Sequence, residues 1–148
     1  MNEQVDDKRT IDAVVRAFFA VFDNRHGRRP ALEALHDLCV AQCVIVKATT
    51  DGPVLYDLAG FIAPREKLLC SGELVDFHEE EIWDRTDVFG GIGQRLSVYR
   101  KSGTLSGDAF VTKGMKSIQL VKTGSDWKIS AVAWDDERAG LAIPGLEP

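Results

Sequence analysis

Helical periodicity dominates the first part of the chain. The run TIDAVVRAFFAVFDNRHG repeats apolar residues every three or four positions, which predicts an amphipathic helix that begins near Thr10. Thr10 is expected to be its N-cap, and Gly27 marks its end. Pro30 then suits the first turn of a second helix. The face that this helix buries is expected to carry Leu32, Leu35 and Leu38.

A short strand and a third helix are expected next. The run CVIVKATT is rich in β-branched residues and ends at the turn sequence DGP, residues 51–53, which indicates a strand. The run FIAPREKLLCSG then predicts a helix from about Pro64 to Cys70, which Gly72 closes.

Beyond Gly72 the helical period is lost, and four long segments are predicted to be strands: 73–87, 92–102, 107–122 and 126–136. The loops between them are short, so consecutive strands are expected to pair antiparallel. Helices followed by strands indicate an α+β fold with about three N-terminal helices on a curved, mainly antiparallel sheet. We expect a single domain over residues 1–148, with its core at about 10–137 and flexible ends.

Alternation along the strands predicts which side chains share a face. In the first long strand one face is expected to carry Phe77, Glu79, Glu81 and Trp83, and the other His78, Glu80 and Ile82. In the last strand Trp127, Ile129, Ala131 and Ala133 are expected opposite Val132 and Trp134. Both faces carry apolar residues. This pattern predicts helices on one face and a second copy of the chain, in a homodimer, on the other.

Composition and charge limit the classes of partner that we expect for this chain. Hydrophobic residues make up 45% of the chain, and the formal net charge is −5. An evenly mixed acidic surface binds nucleic acid poorly, so no nucleic-acid partner is expected. No apolar run reaches the roughly 18–20 residues needed to span a membrane. The polar start MNEQVDDKRT is unlike a signal peptide, and the three cysteines are not spaced as a disulfide framework. A cytoplasmic protein with reduced thiols is expected.

A cleft is expected between the helices and the sheet. Helices that pack on a twisted sheet leave such a space, which is a common ligand site. Gly90, Gly91 and Gly93 lie between two long strands, where glycine permits a bend that would deepen the cleft.

The closing segment GMKSIQLVKTGSDWKISAVAWDDE, residues 114–137, and the order of the elements over about residues 10–137 resemble the nuclear-transport-factor-two-like superfamily. That group includes ketosteroid isomerases, scytalone dehydratase and the SnoaL-type cyclases, and the segment is similar to uncharacterised bacterial members. The resemblance implies a cone-shaped, cystatin-like fold that is usually dimeric through its sheet. It implies no single activity, because this fold carries both catalysts and non-catalytic binders.

The ketosteroid isomerase mechanism does not transfer to this sequence. The resemblance puts Phe18 where those enzymes have a tyrosine hydroxyl, and Lys47 near the position of their aspartate base. Phe18 has no hydroxyl group, and a cation cannot replace the carboxylate. Asp, Tyr and His sets like those of the cyclases and of scytalone dehydratase are not mapped onto this chain.

Other residues are candidates for catalysis. Glu79 and Glu81 are expected on one strand face, about 7 Å apart, where a desolvated carboxyl group can act as an acid or base. The alternative is a solvated acidic surface. His78 is a candidate base if its face is covered, and otherwise a surface or interface histidine. His36, Cys39 and Cys43 lack a familiar metal-ligand spacing, so neither a metal nor a cofactor is expected.

Aromatic residues with polar groups indicate a binding pocket or, equally, core and dimer packing. The predicted pocket residues are Phe18, Phe22, Tyr56, Trp83, Tyr99, Gln119 and Trp134. Lys116 and the acidic end of the last strand are expected to add polar groups at its mouth.

Three functions remain open. The first is a pocket protein that binds a small hydrophobic molecule. The second is a cofactor-independent lyase, isomerase or cyclase that acts on a hydrophobic carbonyl compound through a carboxylate or histidine. The third is a protein–protein adaptor that uses the sheet face.

Overall fold

The helices precede the long strands in the computed structural model, which describes residues 3–145. The parts of the expected flexible ends at residues 1–2 and 146–148 lie outside the described residues. The three α-helices of residues 3–145 are α1 (Glu3–Ala20), α2 (Leu35–Leu38) and α3 (Leu58–Cys70). None of these helices combines the length and the apolar character needed to cross a membrane.

Six strands form one curved sheet in the described part of the chain: β1 (Cys39–Lys47), β2 (Val54–Tyr56), β3 (Leu74–Phe89), β4 (Ile92–Leu105), β5 (Asp108–Thr123) and β6 (Asp126–Asp136). Their order is β2-β1-β6-β5-β4-β3, and all neighbours pair antiparallel except β1 and β6. Tight turns join the last four strands, and Gly107 and Gly124 have φ angles of 88° and 66° there, which glycine adopts without strain. The predicted α+β class and mainly antiparallel sheet are confirmed.

The first two helices differ from the prediction. Helix α1 begins at Glu3, so Thr10 is not an N-cap; its hydroxyl donates to the Asp6 carbonyl within the helix at 3.0 Å. The polar run before Thr10 continues the helix because nothing in it breaks the backbone pattern. The second helix is shorter than expected: a 3₁₀ turn at Leu32–Ala34 leads into α2. The chain enters β1 directly afterwards, which limits α2 to one turn.

The third helix starts earlier than predicted. The Asp57 side chain accepts a hydrogen bond from the Gly60 amide at 2.8 Å and caps α3, so Pro64 lies inside the helix. The short strand β2, which precedes this cap and pairs with β1, was not predicted. A three-residue strand is too short to show alternation.

The core lies between the helices and one face of the sheet, here called the inner face. Apolar residues of α1 and α3 share one buried cluster with Ile45, Ile118 and Ile129 of the sheet. The indole of Trp127 donates to the Asp7 carboxylate of α1 at 3.0 Å. These contacts fix α1 across the sheet.

Asn24 joins three elements through its side chain. Its amide nitrogen donates to the carbonyls of Leu69 and Leu74 at 2.9 and 2.8 Å, and its oxygen accepts from the Phe77 amide at 2.7 Å. Asn24 is buried, so these bonds satisfy backbone groups that water does not reach. The end of α3 and the start of β3 are thereby held beside the segment that follows α1.

A bulge in β3 changes the predicted faces. Glu81 pairs with Tyr99, whereas Trp83 pairs with Val98, so one residue is extra on β3 between these pairs. Glu79 and Glu81 share one face of the strand as predicted, and it is the inner face. Trp83, however, turns to the outer face and Asp84 to the inner one. The prediction that Trp83 shares a face with Glu79 is therefore wrong, because strict alternation does not continue through a bulge.

A second bulge, in β6, has the opposite effect, because it turns a tryptophan toward the inner face. Gln119 pairs with Ala131 and Leu120 with Ile129, so Ser130 is the extra residue. As a result Trp127, Ile129, Val132 and Trp134 all turn their side chains to the inner face. The predicted division of these four residues between two faces is wrong for the same reason as in β3.

Candidate functional site

A cavity of about 410 Å³ lies between the helices and the inner face of the sheet. Six aromatic side chains of residues 3–145 line it: Phe18, Phe22, Phe61, Phe77, Phe110 and Trp134. Edge-to-face contacts connect Phe18 to Phe22 at 5.7 Å between ring centroids, and Phe61 to Phe22 and to Trp134 at 6.0 Å each. The rings therefore hold one another in fixed orientations, and the cavity has largely apolar walls.

The charged groups in the cavity wall are mainly cations. Among the described residues that line it, four are basic (Lys47, Arg65, Lys101 and Lys116) and two are acidic (Glu79 and Asp136). Four positive charges against two negative charges leave an excess of two, in a chain whose formal net charge is −5. The cavity therefore concentrates positive charge that the protein as a whole does not have.

Lys116 is the most enclosed of these cations, with 6% of its side chain exposed. Its Nζ lies 4.1 Å from the centroid of the Tyr99 ring and 5.4 Å from that of Trp134, and the Glu79 carboxylate is 3.5 Å away. Burial lowers the pKa of the Lys116 ammonium, although Glu79 opposes this effect; Lys101 lowers the pKa further. Aromatic faces and one carboxylate thus replace the water that would otherwise solvate this amine.

Lys101, Asp136 and Tyr99 form a second polar group beside Lys116. The Lys101 Nζ lies 2.8 Å from Asp136 Oδ2, and the Tyr99 hydroxyl donates to the other oxygen of the same carboxylate. Burial raises the pKa of Tyr99, and Asp136 raises it further. Tyr99 is therefore a neutral phenol, and its hydroxyl proton is held in the hydrogen bond to Asp136.

Gly114 gives Tyr99 its place in the sheet. A Cβ atom at Gly114 would lie 2.1 Å from the Tyr99 hydroxyl oxygen and 2.6 Å from the carbonyl oxygen of Asp135. Tyr99 pairs with Gly114 across the β4–β5 ladder and is fully buried. The absence of a side chain at this position lets the tyrosine cross β5 to reach β6.

A second, polar groove of about 570 Å³ runs between α1 and the edge strand β3. Arg95 lies at its centre, 3% exposed, and its guanidinium contacts both the Glu81 carboxylate and Asp12. Ser97 also donates to Glu81, at 2.6 Å. Burial by itself would lower the pKa of Arg95. The Glu81 and Asp12 carboxylates outweigh this effect, so the pKa of Arg95 is raised. The buried charges of this groove satisfy one another, which is typical of a structural ion-pair network.

The structure separates the three catalytic candidates. Glu79 lines both the cavity and the groove, and 8% of its side chain is exposed. Glu81 and His78 line only the groove, where Glu81 is bound to Arg95 and Nδ1 of His78 lies 3.4 Å from the Ser102 hydroxyl. Glu79 and Glu81 both line the groove, but of the two only Glu79 also lines the cavity.

The predicted pocket residues are partly brought together. Phe18, Phe22 and Trp134 line the cavity. Two tyrosines stand behind its wall: Tyr99 contacts Lys116, and Tyr56 packs on Phe61 with ring centroids 6.0 Å apart. By contrast, Trp83 and Gln119 do not line the cavity. The bulge turns Trp83 outward, and Gln119 is exposed.

Sequence reasoning missed several cavity residues. Lys101, Arg65 and Phe61 were not predicted, and Lys116 was expected at the mouth of the pocket. One signal for Lys116 was present in the sequence. At i, i+2 and i+4 of a strand, Lys116, Ile118 and Leu120 share one face, and a lysine on an apolar face is unusual. Arg65 carries a weaker signal, because the sequence of α3 shows little amphipathic pattern. In the structure its guanidinium carbon lies 3.9 Å from the centroid of the Phe61 ring.

The two positions compared with ketosteroid isomerases both lie in the cavity wall. Phe18 is buried there, and Lys47 lies at the end of β1. At these two positions the cavity wall carries a phenyl ring and an ammonium group, not a hydroxyl and a carboxylate.

Replacement of Gly114 tests the packing of Tyr99. Gly114→Ala should lower the free energy of unfolding by about 2–3 kcal/mol, because the new methyl group displaces a fully buried ring and meets a backbone carbonyl. Urea titration measures this change. Gly91→Ala is the matched control, since no atom lies within 4 Å of its added Cβ, and it should change stability by less than about 0.5 kcal/mol. Equal effects of the two substitutions would contradict the proposed role of Gly114.

No protein-family model and no curated protein matches the sequence, whereas many solved structures share its fold. The Kfla4162 protein of Kribbella flavida is 15% identical, with a TM-score of 0.70 over 95% of this chain and 98% of its own. A protein of Novosphingobium aromaticivorans DSM 12444, provisionally named a scytalone dehydratase, is 12% identical, with a TM-score of 0.74 over 91% and 87%. An NTF2-like protein of unknown function from Prochlorococcus sp. NATL2A is 15% identical, with a TM-score of 0.70 over 93% and 95%. The chain therefore has the nuclear-transport-factor-two-like fold, as its resemblance implied.

Proposed function

We propose that the protein binds a small, mainly apolar molecule that carries an anionic or carbonyl oxygen. The observation that carries this proposal is the cavity itself, which combines aromatic walls with an excess of cations. Its volume of about 410 Å³ is within the range of small-molecule sites in proteins.

The arrangement of the wall gives the ligand a direction. Lys116 and Lys101 extend from the sheet. Phe18 and Phe61 extend from α1 and α3, and Phe22 from the turn that follows α1. An oxygen of the ligand can accept hydrogen bonds from the two ammonium groups while its apolar body packs on the rings. Such charge-assisted bonds are strong in a site with little water.

A second candidate function, catalysis without a cofactor, is favoured by the position of Glu79. Of the three catalytic candidates, this carboxylate lines the cavity, beside a buried amine. A lyase or isomerase that acts on a carbonyl compound can use a base together with a hydrogen-bond donor or cation near the carbonyl oxygen. Glu79 and Lys116 supply these two groups side by side.

The proposed occupant of the outer sheet face is a second copy of the chain. Val44, Ile82 and Val111 on this face are 43%, 41% and 68% exposed. Small residues of β6, Ala131 and Ala133, lie between them and permit close contact. A self-complementary apolar face of this kind supports a homodimer.

We also propose that the chain is a single domain and that the protein lies in the cytoplasm. One sheet and one buried cluster connect elements from α1 to β6. The buried cysteines Cys39 and Cys43 are unpaired, which suits a reducing compartment.

Two probes with the same ring system test the ligand site. We expect 2-naphthoate to bind about tenfold more tightly than 2-naphthylmethanol in calorimetric titrations, since a charge-assisted hydrogen bond contributes about 1.4 kcal/mol more. Thr112→Trp, which places a ring in the cavity, should abolish binding. Lys113→Trp, which places the same ring on the exposed outer face of β5, should bind normally. Binding that survives Thr112→Trp, or no binding to the native protein, would contradict the proposal.

The dimer can be tested by sedimentation velocity. Val44→Lys should yield monomers, because it places a charge in the proposed interface. Val5→Lys is the matched control on α1, where the side chain is 45% exposed, and it should remain dimeric. A native protein that sediments as a monomer would overturn the homodimer and leave the sheet face to an adaptor role.

A further inference from the structure

Lys116 differs from the other lysines of the cavity in how its charge is compensated. Lys101 has a carboxylate oxygen at 2.8 Å and its side chain is 20% exposed, and Lys47 is exposed at the end of a strand. Lys116 is 6% exposed, and its nearest carboxylate, that of Glu79, is 3.5 Å away. The amine therefore has neither ample water nor a close ion pair.

The environment of Lys116 favours the neutral amine more than a surface does. Burial lowers its pKa, and the nearby Lys101 ammonium acts in the same direction. A neutral amine has a lone pair and is a nucleophile, which an ammonium ion is not. The Lys116 side chain also lines the cavity in which a ligand would bind.

We propose that the Lys116 amine forms an imine with the carbonyl carbon of an aldehyde or ketone bound in the cavity. This inference rests on the proposed ligand site and assigns a covalent role to one residue in its wall. The ligand class becomes an apolar carbonyl compound, whose body packs on Phe18 and Phe22.

The step balances without an added oxidant or reductant. The nitrogen lone pair forms a C–N bond, and the electron pair of the carbonyl π bond moves to oxygen, which takes up a proton. The nitrogen then loses a proton, and the hydroxyl group leaves as water after a second protonation. The remaining lone pair closes the C=N bond, and the nitrogen then loses its second proton. Oxygen has gained two protons and nitrogen has lost two, so one amine and one carbonyl compound yield one imine and one water.

Glu79 is placed to carry these protons. Its Oε1 lies 3.5 Å from the Lys116 Nζ, on the side where β3 faces the cavity. It can accept the proton that the nitrogen loses and return it to the departing oxygen. Tyr99 is less suited to this role, because its hydroxyl already donates to Asp136.

Reductive trapping tests the proposal. The native protein is incubated with 2-naphthaldehyde and sodium cyanoborohydride at neutral pH, and the labelled lysine is located by peptide mass mapping. Trapping at Lys116 should be about tenfold faster than at any surface lysine, because the neutral amine is the reactive species. Lys116→Met should remove this adduct, and Thr112→Trp should suppress it while leaving the amine in place.

Two further variants complete the experiment. Lys113→Met removes an exposed lysine on the other face of β5 and should leave the Lys116 adduct unchanged. Glu79→Gln should slow trapping at Lys116, because the amide cannot carry the protons of the reaction. Loss of an ion pair with a purely structural role would instead leave more neutral amine and speed trapping. Folding of each variant is checked by circular dichroism.

Three results would overturn the inference. One is labelling spread evenly over surface lysines while 2-naphthoate still binds, which overturns the imine alone and leaves the ligand site. Another is failure of both probes to bind or react, which overturns the ligand site and the imine together. The third is an unchanged adduct yield in Lys116→Met, which assigns the reaction to another amine.

Discussion

The burial of the Lys116 charge is the constraint on which the site depends. An ammonium group removed from water must be neutralised, paired or surrounded by compensating groups. The compensation of Lys116 is only partial. Its Nζ lies 4.1 and 5.4 Å from the ring centroids of Tyr99 and Trp134, and 3.5 Å from the Glu79 carboxylate. Space remains beside the amine because the helices do not fill the cavity. A ligand oxygen that accepts a hydrogen bond from Lys116, or a carbonyl carbon that reacts with it, can supply the missing partner of this amine.

Two bulges make this arrangement possible. Without the extra residue in β6, Trp134 would face away from the helices, and Lys116 would lose one of its aromatic neighbours. The bulge in β3 leaves Glu79 in the cavity but turns Asp84 toward α1, where it joins the ion pairs around Arg95. One strand therefore supplies a carboxylate to the cavity and several others to a separate, internally paired groove.

Much of the fold could be predicted from sequence, because long alternating strands and glycine turns are local signals. The four long strands and the α+β order follow from such signals alone. The part of α1 before Thr10 was missed because its polar residues show no apolar period. The single turn of α2 and the three-residue strand β2 could not be predicted, since neighbouring elements set their limits. The faces of Trp83 and Trp134 were missed because a bulge has no mark in an alternation pattern. Glu79 is 37 residues from its partner Lys116, so the pair emerges only when β3 and β5 fold onto one face.

The titration of Lys116 tests the account most directly. Nuclear magnetic resonance of the protein with isotope-labelled lysine side chains follows each ε-methylene group as the pH rises, and Lys116→Met identifies the signal. This signal should titrate at a lower pH than those of the exposed lysines. Its midpoint should rise when 2-naphthoate binds, because the bound carboxylate favours the ammonium form. A Lys116 signal that titrates together with the surface lysines and ignores the probe would contradict a buried, ligand-accessible amine.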